Sequence, residues 1–412
     1  MQKLSEFHQK LEATIHHEID SWKNGITVKA AAYSSKMSNQ HVYLYKILDD
    51  LISVRTDGSA TSHQKCIEYI KKYAKRVNPQ CIIQSIPTNG KDNLVIAFNV
   101  SELKNIQTGV MFCGHLDVVC GKSNQFEAMV ENKRIYGRGV TDMKGAIACY
   151  LEIIPYTNTL ELPIIMCFTC DEETDMQGIK DVCAFLDKQN IKPHLTILGE
   201  PTNNKLGISS TGIKSYKTII HGVAAHSSVL NKGVNALFVA SRILQSLEKI
   251  TQKMISSKLY LNAGSINGGG NIAIIPDNAE IEWGFRYTRE KDAERVMQLY
   301  DKALMIVNEQ YPTATIETVK TADFLGYSAL NKEYIAKLRR KLNIETIKLP
   351  YTAEAGYLAE IGQNVYLLGC GSIEQAHSDN EYINIDNLIA YKKLLLSIVD
   401  FIDGIRNKKS IR

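Results

Sequence analysis

The chain carries no run of apolar residues approaching the roughly eighteen that a membrane span needs, and its opening segment, MQKLSEFHQKLEATIHHEID, is charged throughout where a secretion signal would be apolar. A cytosolic protein that does not enter a membrane is therefore expected. Charge of one sign is equally scarce. The formal net charge is +4 over 412 residues, and Lys and Arg are interspersed with Asp and Glu, so no basic stripe is available to track a phosphate backbone. Nucleic acid is not an expected partner. Paired cysteine motifs are lacking too. The count of nine is odd, and Cys113, Cys149 and Cys167 sit in apolar runs, which predicts buried free thiols. The one close pair, Cys167 and Cys170 in CFTC, has no second pair to complete a four-cysteine zinc site. It also lies in a strand-like segment, where positions three apart point to opposite faces.

What is present is apolar material, 44% of residues against 22% charged, enough for a large core and two domains. Leu4, Phe7, Leu11, Ile15, Ile19 and Trp22 recur at three- or four-residue spacing and predict an amphipathic helix, with an Ala- and Ser-rich linker from Gly25 to Gln40 behind it. His8, His16 and His17 accompany that helix without a ligand cluster beside them and read as surface residues. From residue 41, helical patterns (His63 to Arg76, Lys144 to Ile154, Ile179 to Lys188) alternate with apolar strands (NLVIAFNV, GVMFCGHLDVV, LPIIMCFTC, LTILGEP). This predicts an α/β fold with a mixed, mostly parallel sheet flanked by helices. After Glu200 the order becomes βαββαβ, from KSYKTIIHGV to ATIETVKT, the pattern of an inserted ferredoxin-like α+β unit. The α/β pattern resumes after Ala322, with a last helix from Asp386 to Ile405. The expected division is a helical extension 1–40, a discontinuous catalytic domain 41–208 and 322–412, and an inserted domain 209–321.

Five scattered fragments place a carboxylate or imidazole directly after an apolar run: His115 and Asp117 in MFCGHLDVV, Asp142 in GRGVTDMKG, Glu172 and Glu173 in CFTCDEET, Glu200 in ILGEP, and His377 in GSIEQAHSDNEY. Strand ends are where ligands collect in open α/β sheets. Two imidazoles and several carboxylates suffice for two divalent cations with one carboxylate left as a base, which is the equipment of a metal-dependent hydrolase. A bridging ligand needs two oxygens, and Asp142 is the candidate. Gly137, Arg138 and Gly139 before it do not continue into a dinucleotide-binding glycine fingerprint, and a tight turn beside a metal explains them. Neighbouring Glu172 and Glu173 diverge, so that one coordinates while the other accepts a proton from the attacking water. Asp117, two residues beyond His115, is placed to orient that imidazole.

In this order, HLDVV, GRGVTDMKG, DEET, GEP, GVAAHSS and GSIEQAHSDNEY resemble the di-zinc aminoacylase and carboxypeptidase family, over roughly residues 41 to 405. YTAEAGYLAEIG and GCGSIEQAHSDNEYI look most like its acetylornithine deacetylase branch. The resemblance implies two Zn²⁺, with Co²⁺ or Mn²⁺ as substitutes. His115, Asp142 and Glu200 would hold one ion, and Asp142, Glu173 and His377 the other, with Glu172 as general acid/base. It further implies a homodimer formed through the inserted domain, His226 of GVAAHSS reaching the partner's site to stabilise an oxyanion, and Arg286 binding the substrate carboxylate. Glu354 would contact the substrate amine. The asparagine usual before the IIPD segment is replaced by Ala273, with Asn271 two residues earlier as a substitute donor; Cys370 and Ala353 stand where proline and threonine are common.

The expected reaction is removal of the acetyl group from a small N-acyl amino acid, N-acetyl-L-ornithine first, giving ornithine and acetate as in arginine synthesis. N-acetylcitrulline and N-succinyl-diaminopimelate are the nearest competitors, and a dipeptidase or carboxypeptidase would use the same metals. A non-catalytic binding protein on the same scaffold is the alternative of a different class, and the intact ligand set and base argue against it.

Overall fold

The computed structural model describes residues 42–255 and 259–409; the helix and linker expected before residue 41 lie outside them. The chain divides into two compact units, Met1–Lys205 with Leu368–Arg412, and Leu206–Leu367.

In the first unit, strands β1 (Ile82–Thr88), β2 (Lys91–Phe98), β3 (Val110–His115), β4 (Ile164–Thr169) and β5 (Leu195–Leu198) form a sheet in the order β1, β2, β4, β3, β5. β1 and β2 pair antiparallel, as do β2 and β4, whereas β3 runs parallel to both β4 and β5. Every residue of β3, β4 and β5 is buried, so VMFCGH, IIMCFT and LTIL read as unbroken apolar runs instead of alternating ones. Helices cover this sheet: Ala60–Val77 on β2, Lys144–Glu152 on β3, and Gln177–Lys188 on β1 and β4. The first of these buries His63, Cys66, Ile67, Ile70, Tyr73 and Ala74 at helical spacing, and the Ser59 hydroxyl caps its N-terminus by accepting from the Ser62 amide. Lys144–Glu152 is buried on every side, wedged against Val42–Ser53 and Ile385–Lys409. All nine cysteines are free, and only Cys120 is exposed.

The second unit contains the βαββαβ order expected. Strands β7 (Gly212–His221), β8 (Tyr260–Gly268), β9 (Asn278–Tyr287) and β10 (Thr315–Phe324) follow β6 (Leu206–Ser210) and form an antiparallel sheet in the order β8, β9, β7, β10. Helices Ala236–Met254 and Glu290–Gln310 pack on one face. β9 shows the period of a half-buried strand: Ala279, Ile281, Trp283, Phe285 and Tyr287 enter the core while Asn278, Glu282 and Arg286 point away. The unit is wider than the 209–321 insertion expected, because β6 pairs with Thr346–Lys348, Tyr327–Ser328 and Leu367, and these partners group with it. Among the described residues no helix is long and apolar enough to cross a membrane.

Gly178 sits where helix Gln177–Lys188 meets the end of β4, and a β-carbon there would collide with the Cys170 carbonyl and stand 2.6 Å from Asn93 Oδ1. Helix propensity alone makes Gly→Ala stabilising by about 1 kcal/mol. Overpacking reverses the sign, so Gly178→Ala is expected to lower unfolding free energy by about 1–3 kcal/mol in urea titrations. A gain in stability would show that the helix is free to shift.

Candidate metal centre

β4, β3 and β5 are adjacent and parallel, so their C-terminal ends open at one edge of the sheet. His115 closes β3, the Asp171–Glu173 turn follows β4, and Glu200 lies two residues beyond β5. Asp142 enters from the loop before helix Lys144–Glu152, and His377 from the segment before the final helix. The fold thus brings together six residues spread over more than 260 positions. His115, Asp142 and Glu200 offer ligand atoms within 4.8 Å of one another, and so do Asp142, Glu173 and His377, and His115, Glu172 and Glu173. Asp142 is common to two of these sets. Its Oδ1 lies 3.2 Å from His115 Nε2 and its Oδ2 3.5 Å from His377 Nε2, so the two oxygens face different imidazoles. That is the geometry a bridging carboxylate needs.

The orientation of each group has a visible cause. His115 Nδ1 donates to the backbone carbonyl of Asp117 at 2.9 Å, which turns Nε2 toward Asp142. Asp117 thus meets this ring, as its place two residues beyond His115 led one to expect, but through its carbonyl. Its Oδ1 stands 3.8 Å from Nδ1, and Oδ2 instead accepts the Glu173 amide at 3.0 Å, because the chain turns after β3 and lays its backbone, not its side chain, along the ring edge. Asp171 adopts a left-handed φ of 62° and is held by an ion pair with Lys91. Lys144, fully buried, donates to the carbonyls of Leu51 and Val54 at 3.0 and 2.9 Å and ties the Asp142 loop to the end of helix Val42–Ser53. Burial lowers its ammonium to about 8.

The electrostatics are those of a crowded anionic site. Burial together with the nearby carboxylates of Glu200, Glu173 and Asp142 pushes Glu172 well above the ordinary carboxylate range. Burial alone would also raise Asp142, but the His115 and His377 imidazoles hold it well below that range. Burial opposes a charge on His115, yet hydrogen bonding to Asp142 and the fields of Glu172 and Asp117 raise it well above its usual value. Hydrogen bonds donated to Asp142 and Glu173 raise His377 to about 10. Cations at this place would relieve the same repulsion. A set of two imidazoles and three carboxylates, with one face of His115 fixed by a carbonyl, fits Zn²⁺, Co²⁺ or Mn²⁺.

The remaining candidates lie on the second unit. His226 is exposed on a two-residue ribbon pairing with Ile274, and its Nδ1 accepts the Ser228 amide at 3.2 Å and lies 2.8 Å from Ser228 Oγ. Asn271, in the same ribbon's loop, uses Oδ1 to accept the Ala273 amide at 2.9 Å. Arg286 is exposed on the helix-free face of β9, paired in register with Ile213. Glu354 is fully buried at the start of helix Ala355–Glu360. Sequence reasoning missed Lys91, Lys144 and Glu381, the last a buried carboxylate four residues after His377. Its only signal was an acidic residue inside the HSDNEY fragment.

A family model described as peptidase family M20/M25/M40 matches residues 111–400. The chain belongs to this family. It is accordingly a metal-dependent hydrolase acting on amide bonds. An acetylornithine deacetylase of Buchnera aphidicola subsp. Schizaphis graminum is 27% identical over 376 residues, 86% of this chain and 96% of that one. Among solved structures, a tripeptidase from Staphylococcus aureus superposes with a TM-score of 0.72 at 17% identity, covering 88% of this chain and 98% of the other. A Bacillus subtilis protein described as a dinuclear metal-binding peptidase of the M20 family does so at 0.64 and 13%, covering 88% and 98%.

Because His377 is raised to about 10, it is protonated in the metal-free protein at neutral pH, whereas a ligating imidazole is neutral. Adding Zn²⁺ to chelator-treated protein at pH 7 is expected to release protons, and affinity is expected to rise as pH climbs toward 10. In the metal-free protein the same group contributes stability that is fully present below its unfolded value near ~6.5 and is lost as pH rises through about 10. Calorimetry in buffers of different ionisation enthalpy checks the first point; zero proton release would refute this electrostatic picture.

Proposed function

We propose that this chain hydrolyses the acyl amide of a small N-acyl amino acid, N-acetyl-L-ornithine first, and that it does so as a homodimer. The observation that carries the reading is the double use of Asp142 between His115 and His377, with Glu172 at the edge of the same cluster. Resemblance to acetylornithine deacetylase over most of both chains supports the substrate class.

His115, Asp142 and Glu200 would hold one divalent cation, and Asp142, Glu173 and His377 the second. Bound there, the pair would polarise the amide carbonyl and lower the pKa of a water. Glu172 takes the proton of the attacking water and returns it to the departing nitrogen, and its carboxylate, crowded by three others, has the raised proton affinity that both transfers require. His226 is a donor for the developing oxyanion: with its Nδ1 accepting the Ser228 amide, a neutral ring carries its proton on Nε2. Arg286 offers a planar fork to the substrate carboxylate, and Asn271, with Oδ1 engaged in its loop, keeps its amide nitrogen as a second donor. Glu354 would receive the substrate's side-chain amine.

Two features favour a dimer. Arg286 pairs with Ile213 at one end of β9, while the His226 ribbon follows His221, which pairs with Asn278 at the other end. Eight residue steps at ~3.4 Å separate those ends by about 27 Å, which favours the two groups meeting a substrate from different copies. Leu230, Phe238, Ile266, Ile272 and Ile274 are also exposed around that ribbon and the neighbouring helix and edge strand, an apolar surface that a second copy would cover.

Glu172→Gln is expected to lower kcat by about 10²- to 10⁴-fold with metal content unchanged. In a panel of N-acyl amino acids and dipeptides with added Zn²⁺ or Co²⁺, acetylornithine should be the best substrate; turnover no faster than that of the succinylated compound, or preference for dipeptides, would replace the assignment. Mixing Glu172→Gln and His226→Ala chains should restore activity, since each mixed dimer then holds one site with both groups intact. If no activity returns, His226 does not act across a dimer.

A further inference from the structure

The first unit contains a buried carboxylate that neither the ligand sets nor the acid/base step uses. Glu381 is 2% exposed and Arg138, its partner, 3%. Glu381 Oε2 accepts Arg138 Nη1 and the Gly139 amide, each at 2.9 Å. Its Oε1 accepts the Thr141 amide at 2.8 Å and the Asp142 amide at 3.3 Å. The backbone joins in: the Gly137 amide donates to the Glu381 carbonyl at 3.1 Å, and the Thr141 hydroxyl to the Tyr382 carbonyl at 2.8 Å. Arg138 Nη2 reaches the Cys120 carbonyl at 3.4 Å, in the loop that follows His115 and Asp117.

One carboxylate therefore gathers four donors from the loop that ends in Asp142, and it sits four residues after His377. Those two are the side chains that the metal reading assigns to one ion, and they are 235 positions apart in the chain. His377 itself adopts a left-handed φ of 60°, a conformation costly for a residue with a β-carbon unless its surroundings impose it. Immediately after Glu381, Tyr382, Ile383 and Asn384 pair with Tyr136, Ile135 and Arg134, so strand pairing continues the same register between the two segments.

We infer that Glu381 is a positioning residue: its carboxylate clamps the backbone of the 139–142 loop against the 377–381 segment, and so sets the separation of Asp142 and His377 before any cation binds. This rests on the metal assignment above. An amide in place of the carboxylate turns a donor toward backbone donors and leaves the Arg138 guanidinium buried without its counter-charge. A shorter carboxylate keeps the charge but not the reach to both the loop amides and the guanidinium.

The test compares chelator-treated parent, Glu381→Gln and Glu381→Asp by titration with Zn²⁺ and Co²⁺, recording stoichiometry and affinity, the Co²⁺ absorption spectrum and far-UV circular dichroism. Glu152→Gln is the control. It disrupts another buried ion pair of the same unit, with Lys392 at 2.9 Å, and should lower Tm without changing metal affinity. Loss of a group that orients ligands is expected to weaken binding by about 10- to 100-fold, with the aspartate variant folded, intermediate in affinity and altered in its Co²⁺ spectrum. Hydrogen exchange on the metal-free parent gives a measurement that needs no variant: the amides of Gly139, Thr141 and Asp142 should be protected. Parent-like affinity in both Glu381 variants, an equal loss in Glu152→Gln, or rapid exchange of those amides would overturn the clamp. A parent that binds no cation would overturn the metal reading itself, and the clamp with it.

Discussion

The structure depends on holding several like charges close together in a poorly solvated place. Asp142, Glu173, Glu200 and Glu172 converge where Asp142 and Glu200 are almost wholly covered, and carboxylates at such separations repel strongly once water is withdrawn. In the metal-free chain this crowding raises the proton affinity of Glu172 and, with hydrogen bonds to the carboxylates, that of the two imidazoles. Divalent cations held by the same carboxylates would relieve the repulsion. A cluster that stabilised itself fully without cations would bind them weakly.

Such a cluster stays ordered only if something other than the cations fixes its members. Each is held from behind. A carbonyl orients His115, the Asp117 carboxylate caps the Glu173 amide, Lys91 pairs with Asp171 ahead of the two glutamates, and Glu381 grips the backbone leading into Asp142. These supports are mostly buried and drawn from distant parts of the chain. Geometry held in this way reduces the reorganisation needed when cation and substrate arrive.

The fold makes this convergence possible through one topological fact. Three parallel strands end at the same edge, so the last residue of β3 and the short turns after β4 and β5 deliver His115, the two glutamates and Glu200 to neighbouring positions. A second unit interrupts the chain between Glu200 and His377.

The strands of the central sheet were legible because burial on both faces leaves an unbroken apolar run, and the βαββαβ unit because β9 alternates without a fault over ten residues. The donor set was legible as well, since coordination chemistry demands particular residue types and strand ends demand a particular place. Local spacing, however, says nothing about what meets across hundreds of residues. The actual partner of His115 was a carbonyl, which no side-chain pattern encodes. Glu354 turned out buried, and the pairing of Glu381 with Arg138 joins positions 243 apart. Composition and period determined which groups this chain brings to a metal centre; only the tertiary structure decided what holds them there, because that depends on packing between segments whose order in the chain carries no record of their distance in space.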